Sequence, residues 1–265
     1  MAARVGAGLD RSAPEPKPEP PVTPADPRPL AGTVIAFDLD GTLVDTAPDL
    51  IGALNRVLGE EGLPALPLAS ARHLVGQGAR ALLVRGFAEA GRTLEREEAE
   101  RCVARFLDVY REHIADESRP FPGLAAALDA LEADGARLAV CTNKPTAFAR
   151  LLLEKLALSD RFACVTGPDD APARKPDPRH LLASVEAAGG AERFLLVGDS
   201  LADVSAARGA GAPCVVVSFG YTDTPAAELG GDRLIDAYDA LPAACRDLLA
   251  PGAARPLATA ADAPL

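Results

Sequence analysis

Positive charge is in short supply along this chain. Among its 265 residues, 27 lysines and arginines face 38 aspartates and glutamates, for a formal net charge of −11. Nucleic-acid backbones are held by concentrated basic faces, so this balance argues against a nucleic-acid polymer as partner. Lysine is rarer still and occurs only at positions 17, 144, 155 and 175. Long apolar runs are also missing. The longest uncharged stretch, 209–222, contains proline and glycines and is too short to span a bilayer, and the first residues lack the apolar core of a signal peptide. The expectation is a cytoplasmic protein with no membrane partner. Cys102, Cys141, Cys164, Cys214 and Cys245 show no Cys-x-x-Cys spacing, and three of them lie in strand-like runs, so they read as reduced packing residues. His73, His113 and His180 stand far apart, form no metal-ligand pattern and read as incidental.

What the chain does hold is punctuated. Residues 1–31 form a tail in which prolines alternate with charges, a composition that neither donates ladder hydrogen bonds nor buries a core. The stretch 251–265, rich in alanine and proline, is expected to be loose as well. Between the tails, strand-like runs at 33–37, 137–141, 162–165, 193–197, 213–217 and 233–235 alternate with helical patterns at 123–133, 146–156, 178–188, 201–209 and 239–249. Such alternation predicts an α/β fold, a three-layer Rossmann-like parallel sheet joined by right-handed crossovers. Residues 46–118 break the rhythm. They contain no strand-like run and read as helices over 49–59, 79–90 and 95–114, an insertion placed to act as a lid over the core formed by 32–45 and 119–250.

Chemistry gathers at the ends of the predicted strands. The run Val34-Ile35-Ala36-Phe37 ends in Asp38-Leu39-Asp40-Gly41-Thr42, and strand periodicity turns both acids to one side. Two carboxylates that close repel unless a cation or a shared proton relieves them, and a divalent metal is the economical solution. An Asp-rich turn is the plainer alternative. Thr142 and Asn143 follow the second strand at the start of a helix whose free N–H groups favour an anion, although an ordinary helix cap has the same composition. Lys175 sits in a proline-stiffened loop before another helix. Finally, Gly198-Asp199-Ser200 and Asp203 repeat the opening theme, with acids suited to a hard cation.

In this order, Asp38-x-Asp40-Gly41-Thr42, Thr142, Lys175-Pro176 and Gly198-Asp199 with Asp203 resemble the haloacid dehalogenase superfamily over nearly all of residues 33–249. The extended segments 37–50 and 141–145 are similar to its phosphoglycolate phosphatase branch, and the helical insertion is similar to that family's cap. The long proline-rich tail is a departure. The resemblance implies a Mg²⁺-dependent phosphate monoester hydrolase acting on a small phosphorylated metabolite, with 2-phosphoglycolate first. It implies Asp38 as nucleophile, Asp40 as general acid and base, and Thr142 and the Asn143 N–H as phosphoryl ligands. Lys175 would offset charge. Asp38, the Asp40 carbonyl and Asp199 would hold Mg²⁺, supported by Asp203.

Sibling chemistries separate on residues. Asp40 speaks against hydrolytic dehalogenation, and the lack of lysine across 46–117 speaks against a Schiff-base phosphonate cleavage. A sugar-phosphate mutase, or a catalytically silent phosphate-binding domain, would keep the same core. In the insertion, Gly76-Gln77-Gly78-Ala79-Arg80 reads as a loop over the site, with Arg80 either meeting a substrate carboxylate or standing on a solvated face.

Overall fold

The computed structural model describes residues 28–76, 78–222 and 224–252. The tails expected at 1–31 and 251–265 therefore lie outside the described residues, save 28–31 and 251–252. Packing begins inside the first of them: Leu30 is fully buried, and its N–H donates to the Asp134 carbonyl at 2.9 Å. One apolar side chain that reaches the core outweighs the proline-rich composition around it.

The first strand, β1 (Thr33–Phe37), is buried at every position. After it come a two-residue strand β2 (Val44–Asp45) and four helices, α1 (Ala47–Glu60), α2 (Leu68–Ala71), α3 (Ala79–Glu89) and α4 (Arg96–Glu112). A second short strand, β3 (Arg119–Pro120), returns the chain to the core. Then follow α5 (Leu124–Ala133), β4 (Arg137–Cys141), α6 (Thr146–Lys155), β5 (Cys164–Thr166), α7 (Pro178–Ala187), β6 (Arg193–Gly198), α8 (Leu201–Gly209), β7 (Cys214–Val217), β8 (Arg233–Ile235) and α9 (Leu241–Leu248). None of the described helices is long and apolar enough to cross a membrane.

Six strands form one sheet in the order β5-β4-β1-β6-β7-β8, and every pairing is parallel. Alternation along β1 divides the core. Ile35 and Phe37 face the larger apolar cluster, shared with α1, α4 and α5, whereas Val34 and Ala36 face a cluster of smaller residues on α7 and α8. Since β1 lies between β4 and β6, the sheet's topological switch point falls at its carboxyl end, where open α/β sheets bind their ligands.

The helical insertion is joined to the core by a hinge that sequence periodicity missed. Strands β2 and β3 pair antiparallel through Val44 with Pro120 and Asp45 with Arg119, so entry and exit lie side by side. Two residues are too few to show alternation. Asp49, buried in the first turn of α1, accepts from the Glu117 N–H at 2.9 Å, the Ser118 N–H at 2.8 Å and the Ser118 hydroxyl at 2.6 Å. Within the insertion α3 approaches α1 closely, because Gly86 faces Leu54; a Cβ there would stand 2.6 Å from the leucine methyl.

Several element ends differ by a residue or two from those expected, and two of the differences have visible reasons. The strand expected from 162 begins at Cys164, because Phe162 packs edge-on against Phe37 at 6.3 Å instead of pairing. The helix expected from 239 starts at Leu241; residues Tyr238–Ala240 form a 3-10 turn, and Pro242 occupies the first helical turn. The five cysteines are free and all but the half-buried Cys164 are buried.

Candidate active site

Every sequence-predicted acid and the lysine of the third loop converge at the carboxyl end of the sheet. Asp38 follows β1 directly, and its N–H still bonds to the Val197 carbonyl at 2.8 Å, which fixes it against β6. Leu39 is fully buried, while Asp38 and Asp40 both line one pocket. Gly41 has φ +82°, a left-handed conformation open to glycine, and the chain doubles back so that Asp40 bridges Val44.

Around Asp38 the acids crowd. One oxygen from each of Asp38, Asp199 and Asp203 lies within 4.8 Å of the others. Lys175 reaches into this group, with Nζ 2.8 Å from Asp38 Oδ1 and 2.7 Å from Asp203 Oδ1. Burial would push the Lys175 ammonium down, yet Asp203 and Asp38 more than offset it and its pKa stands above the ordinary lysine value. Burial raises Asp38 to about 6, against the attraction of Lys175 and with help from Asp203 and Asp40. The pKa of Asp199 is raised as well, by burial and by the charges of Asp38 and Asp203. One lysine does not neutralise three carboxylates. A hard divalent cation would, and the donor set is all oxygen.

The scaffold holds Asp199 for such a role. Its oxygens accept from the Thr42 hydroxyl at 3.2 Å and the Tyr221 N–H at 2.6 Å. Backbone closes around it: a Cβ on Gly41 would stand 2.4 Å from Asp199 Oδ2, and one on Gly220 would stand 2.2 Å from its Cβ. Asp203 arrives by a different route. It is the N3 residue of α8 and closes a capping box in which its Oδ2 accepts from the Ser200 N–H at 3.1 Å and hydroxyl at 2.6 Å. With Oδ1 on Lys175, the side chain is fully committed and fully buried.

Asp40 stands in a separate environment. Lys144 Nζ lies 2.8 Å from its Oδ1 and 3.1 Å from its Oδ2, and the Thr46 hydroxyl donates to Oδ1 at 2.7 Å. The Lys144 ammonium, disfavoured by burial but held by Asp40 and Tyr110, has its pKa raised. Its Nζ also sits 4.7 Å from the centre of the Tyr110 ring. Repulsion between the two acids of the first motif, expected to need a cation or a shared proton, is eased by two lysines from two different loops.

Thr142 is buried, with its Oγ1 accepting from the Lys144 N–H at 3.1 Å. Asn143 donates its side-chain N–H to the Lys175 carbonyl at 3.0 Å, which ties the second loop to the third. Both line the pocket. Of the N–H groups expected free at the helix N-terminus beyond them, the first, on Thr146, donates to Asp169 at 3.2 Å.

Two residues of the insertion were expected at the site. Gly76 lines the pocket, beside Val75, Gly78 and Ala79. Arg80 does not: at the start of α3 its side chain is half exposed and pairs with Glu100 on α4. Of the two readings open for Arg80, its side chain takes the solvated face. Gln77 lies outside the described residues.

Several contributors carried little or no sequence signal. Lys144 had one, as one of four lysines in an acidic chain. His180, which had looked incidental, is fully buried; its Nδ1 accepts from the Lys175 N–H at 3.1 Å and its Nε2 faces the Thr166 carbonyl at 3.3 Å. Burial and the nearby Lys175 lower its pKa, so it is the neutral form that anchors the lysine loop. Tyr221 donates to Asp45 and accepts from the Ala47 N–H at 3.0 Å, while Arg72 of the insertion stacks over its ring at 5.2 Å and reaches Asp45 at 2.5 Å. Insertion, hinge and core meet there.

A doubly wound sheet with three clustered acids and two buried lysines at its switch point is a frame suited to hydrolytic chemistry at the strand ends. The model of the haloacid dehalogenase-like hydrolases matches residues 35–217, and the chain belongs to that family. It is similar to the phosphoglycolate phosphatase of Caulobacter vibrioides, 55% identical over 221 residues that cover 83% of this chain and 93% of the relative. The phosphoglycolate phosphatase of Agrobacterium fabrum is 47% identical, over 86% of this chain and 98% of its own. Among solved structures, a predicted phosphoglycolate phosphatase of Haemophilus somnus superposes with a TM-score of 0.73 at 31% identity, covering 80% of this chain and 96% of that one.

Proposed function

We propose that the chain is a Mg²⁺-dependent phosphate monoester hydrolase whose substrate is 2-phosphoglycolate, cleaved to glycolate and inorganic phosphate. The observation that carries the reading is the asymmetry of the first motif. Asp38 shares Lys175 with other acids beside the cation-demanding cluster, whereas Asp40 faces Lys144 and Thr46 on the other side of the pocket. Two carboxylates in unlike surroundings suit two roles. The names of the similar proteins support the choice of substrate.

Asp38 attacks phosphorus in line with the ester oxygen; the P–O ester bond breaks, and its electron pair leaves on the glycolate oxygen, which takes a proton from Asp40. Asp40 then removes a proton from water, whose oxygen attacks the aspartyl phosphate. The bond between phosphorus and the Asp38 oxygen breaks, phosphate leaves, and Asp38 is restored as the carboxylate and Asp40 as the protonated acid. Thr142 and the Asn143 N–H bind phosphoryl oxygens, and Lys175 balances charge on Asp38 and on the group in transfer. Asp38, the Asp40 carbonyl and Asp199 are the residues that would hold Mg²⁺, with Asp203 behind them. When bound, the ion supplies charge neutralisation between the anionic nucleophile and the anionic phosphoryl group.

The test is phosphate release with Mg²⁺ from 2-phosphoglycolate, common sugar phosphates and an aryl phosphate, beside Asp38→Asn and a chelator control. Preference for 2-phosphoglycolate that vanishes in Asp38→Asn and on chelation is expected. Equal rates across the panel would overturn the substrate, and no release from any ester would overturn the hydrolase.

A further inference from the structure

The pocket walls are sharply unequal in polarity. Its described lining from the insertion is Leu50, Val75, Leu82, Phe106 and Leu107 with two glycines and an alanine, relieved only by Tyr110. Of the described lining residues, Lys144 and Lys175 alone are cationic. Lys175 is taken by Asp38 and Asp203. Among the described residues Lys144 pairs with one carboxylate only, that of Asp40, at 2.8 and 3.1 Å.

Beside it stands an unmet polar group. The Tyr110 hydroxyl is buried and has no hydrogen-bond partner. Lys144, under whose Nζ the ring lies, has no lone pair to receive the phenol hydrogen. Burial pushes the phenol's pKa up to about 12, so it stays protonated and carries a hydrogen to donate, and Tyr110 is among the residues that line the pocket. An unsatisfied buried phenol hydrogen beside a lysine ammonium calls for a small anion with acceptor oxygens.

We infer that Lys144 and Tyr110 together form the site for the substrate's carboxylate, and that this pair, not Arg80, sets the preference for a carboxylate-bearing ester. The inference rests on the reading of the site as a phosphoglycolate hydrolase. Its geometry follows from the leaving group. Asp40 must reach the bridging oxygen of the ester, and in 2-phosphoglycolate the carboxyl carbon is only two bonds from that oxygen. A carboxylate so placed lies on the Asp40 side of the pocket, where Lys144 Nζ and the Tyr110 hydroxyl are. An ethyl ester presents a methyl group at the same place and leaves both donors unmet, which costs binding at a buried site.

The experiment compares kcat/KM for 2-phosphoglycolate with that for ethyl phosphate, which has the same reacting atoms and no carboxylate. Changes at Lys144 also disturb Asp40, but they do so for both esters, so the ratio isolates recognition. In Lys144→Met the ratio is expected to fall by about ten- to a hundredfold, chiefly through KM for 2-phosphoglycolate, with Lys144→Arg retaining much of it. Tyr110→Phe, which deletes the donor and keeps the ring, should lower the ratio by about three- to tenfold. A wild-type preference for 2-phosphoglycolate that survives both Lys144→Met and Tyr110→Phe would overturn this inference and leave the proposed function standing. Efficient hydrolysis of ethyl phosphate with no wild-type preference would overturn both.

Discussion

The two halves of the active site are built to different rules. On the Asp38 side, side chains from β1, from the loop before α7 and from the start of α8 lock one another: Lys175 bridges two acids, Asp203 caps its own helix, and His180 pins the lysine's backbone. On the Asp40 side, one lysine and a threonine meet an apolar roof, and a buried phenol has nothing to bond. The first half is a fixed cradle for a group that never varies in this chemistry. The second, being incompletely satisfied, is where a substrate supplies the missing partner.

The sharpest break in this contrast is expected at Asp38. Asp38→Asn removes the proposed nucleophile and should lower kcat by about four orders of magnitude or more, with little change in thermal midpoint. Lys175→Met attacks the rigid half from beneath. It leaves Asp203 buried without its cation, so urea denaturation should report a loss of about 3–5 kcal/mol along with loss of activity. At Asp49, which ties the first turn of α1 to residues 117–118, Asp49→Ala should cost about 2–3 kcal/mol in the same assay, because buried N–H donors lose their acceptor.

The cluster around Asp38 also sets a pH dependence. Burial raises the folded-state pKa of Asp38 to about 6 from an ordinary 3.8, and raises that of Asp199. The folded chain therefore holds more protons than the unfolded chain between these values, and stability falls as pH rises through that window. In chelator the thermal midpoint should drop between pH 4 and pH 6 by the contribution of this cluster, within the range from about 3.8 to about 6 over which Asp38 titrates differently in the two states. Added Mg²⁺ should raise the midpoint above pH 6 and have little effect near pH 4, where the acids are protonated. Smallest of all is Arg80→Ala. A half-exposed pair on the outside of the roof should leave stability within about 0.5 kcal/mol and kcat/KM within about twofold.

Legibility in the sequence divides along the same line. The locked half could be read because its residues sit at strand ends in short motifs: Asp38, Thr142, Lys175 and Asp199 each follow an apolar run or a proline-stiffened loop, and topology brings them together. The adaptable half could not. Whether Arg80 turns inward depends on how α3 and α4 pack, and α4 offers it Glu100 on the outer face. Tyr110 sits on the buried face of α4 like any core aromatic, stacked between Phe106 and Phe148, and only packing reveals that it lines the pocket with its hydroxyl unpartnered. The hinge escaped for a third reason: strands of two residues have no period to detect.

The division of labour between the two carboxylates is tested most directly by rapid acid quench of the Mg²⁺-loaded enzyme with radiolabelled 2-phosphoglycolate, followed by peptide mapping. Label recovered as a hydroxylamine-labile acyl phosphate on Asp38, and lost in Asp38→Asn, is the expected result. Label on Asp40, or burst-free turnover with no labelled peptide, would contradict the account.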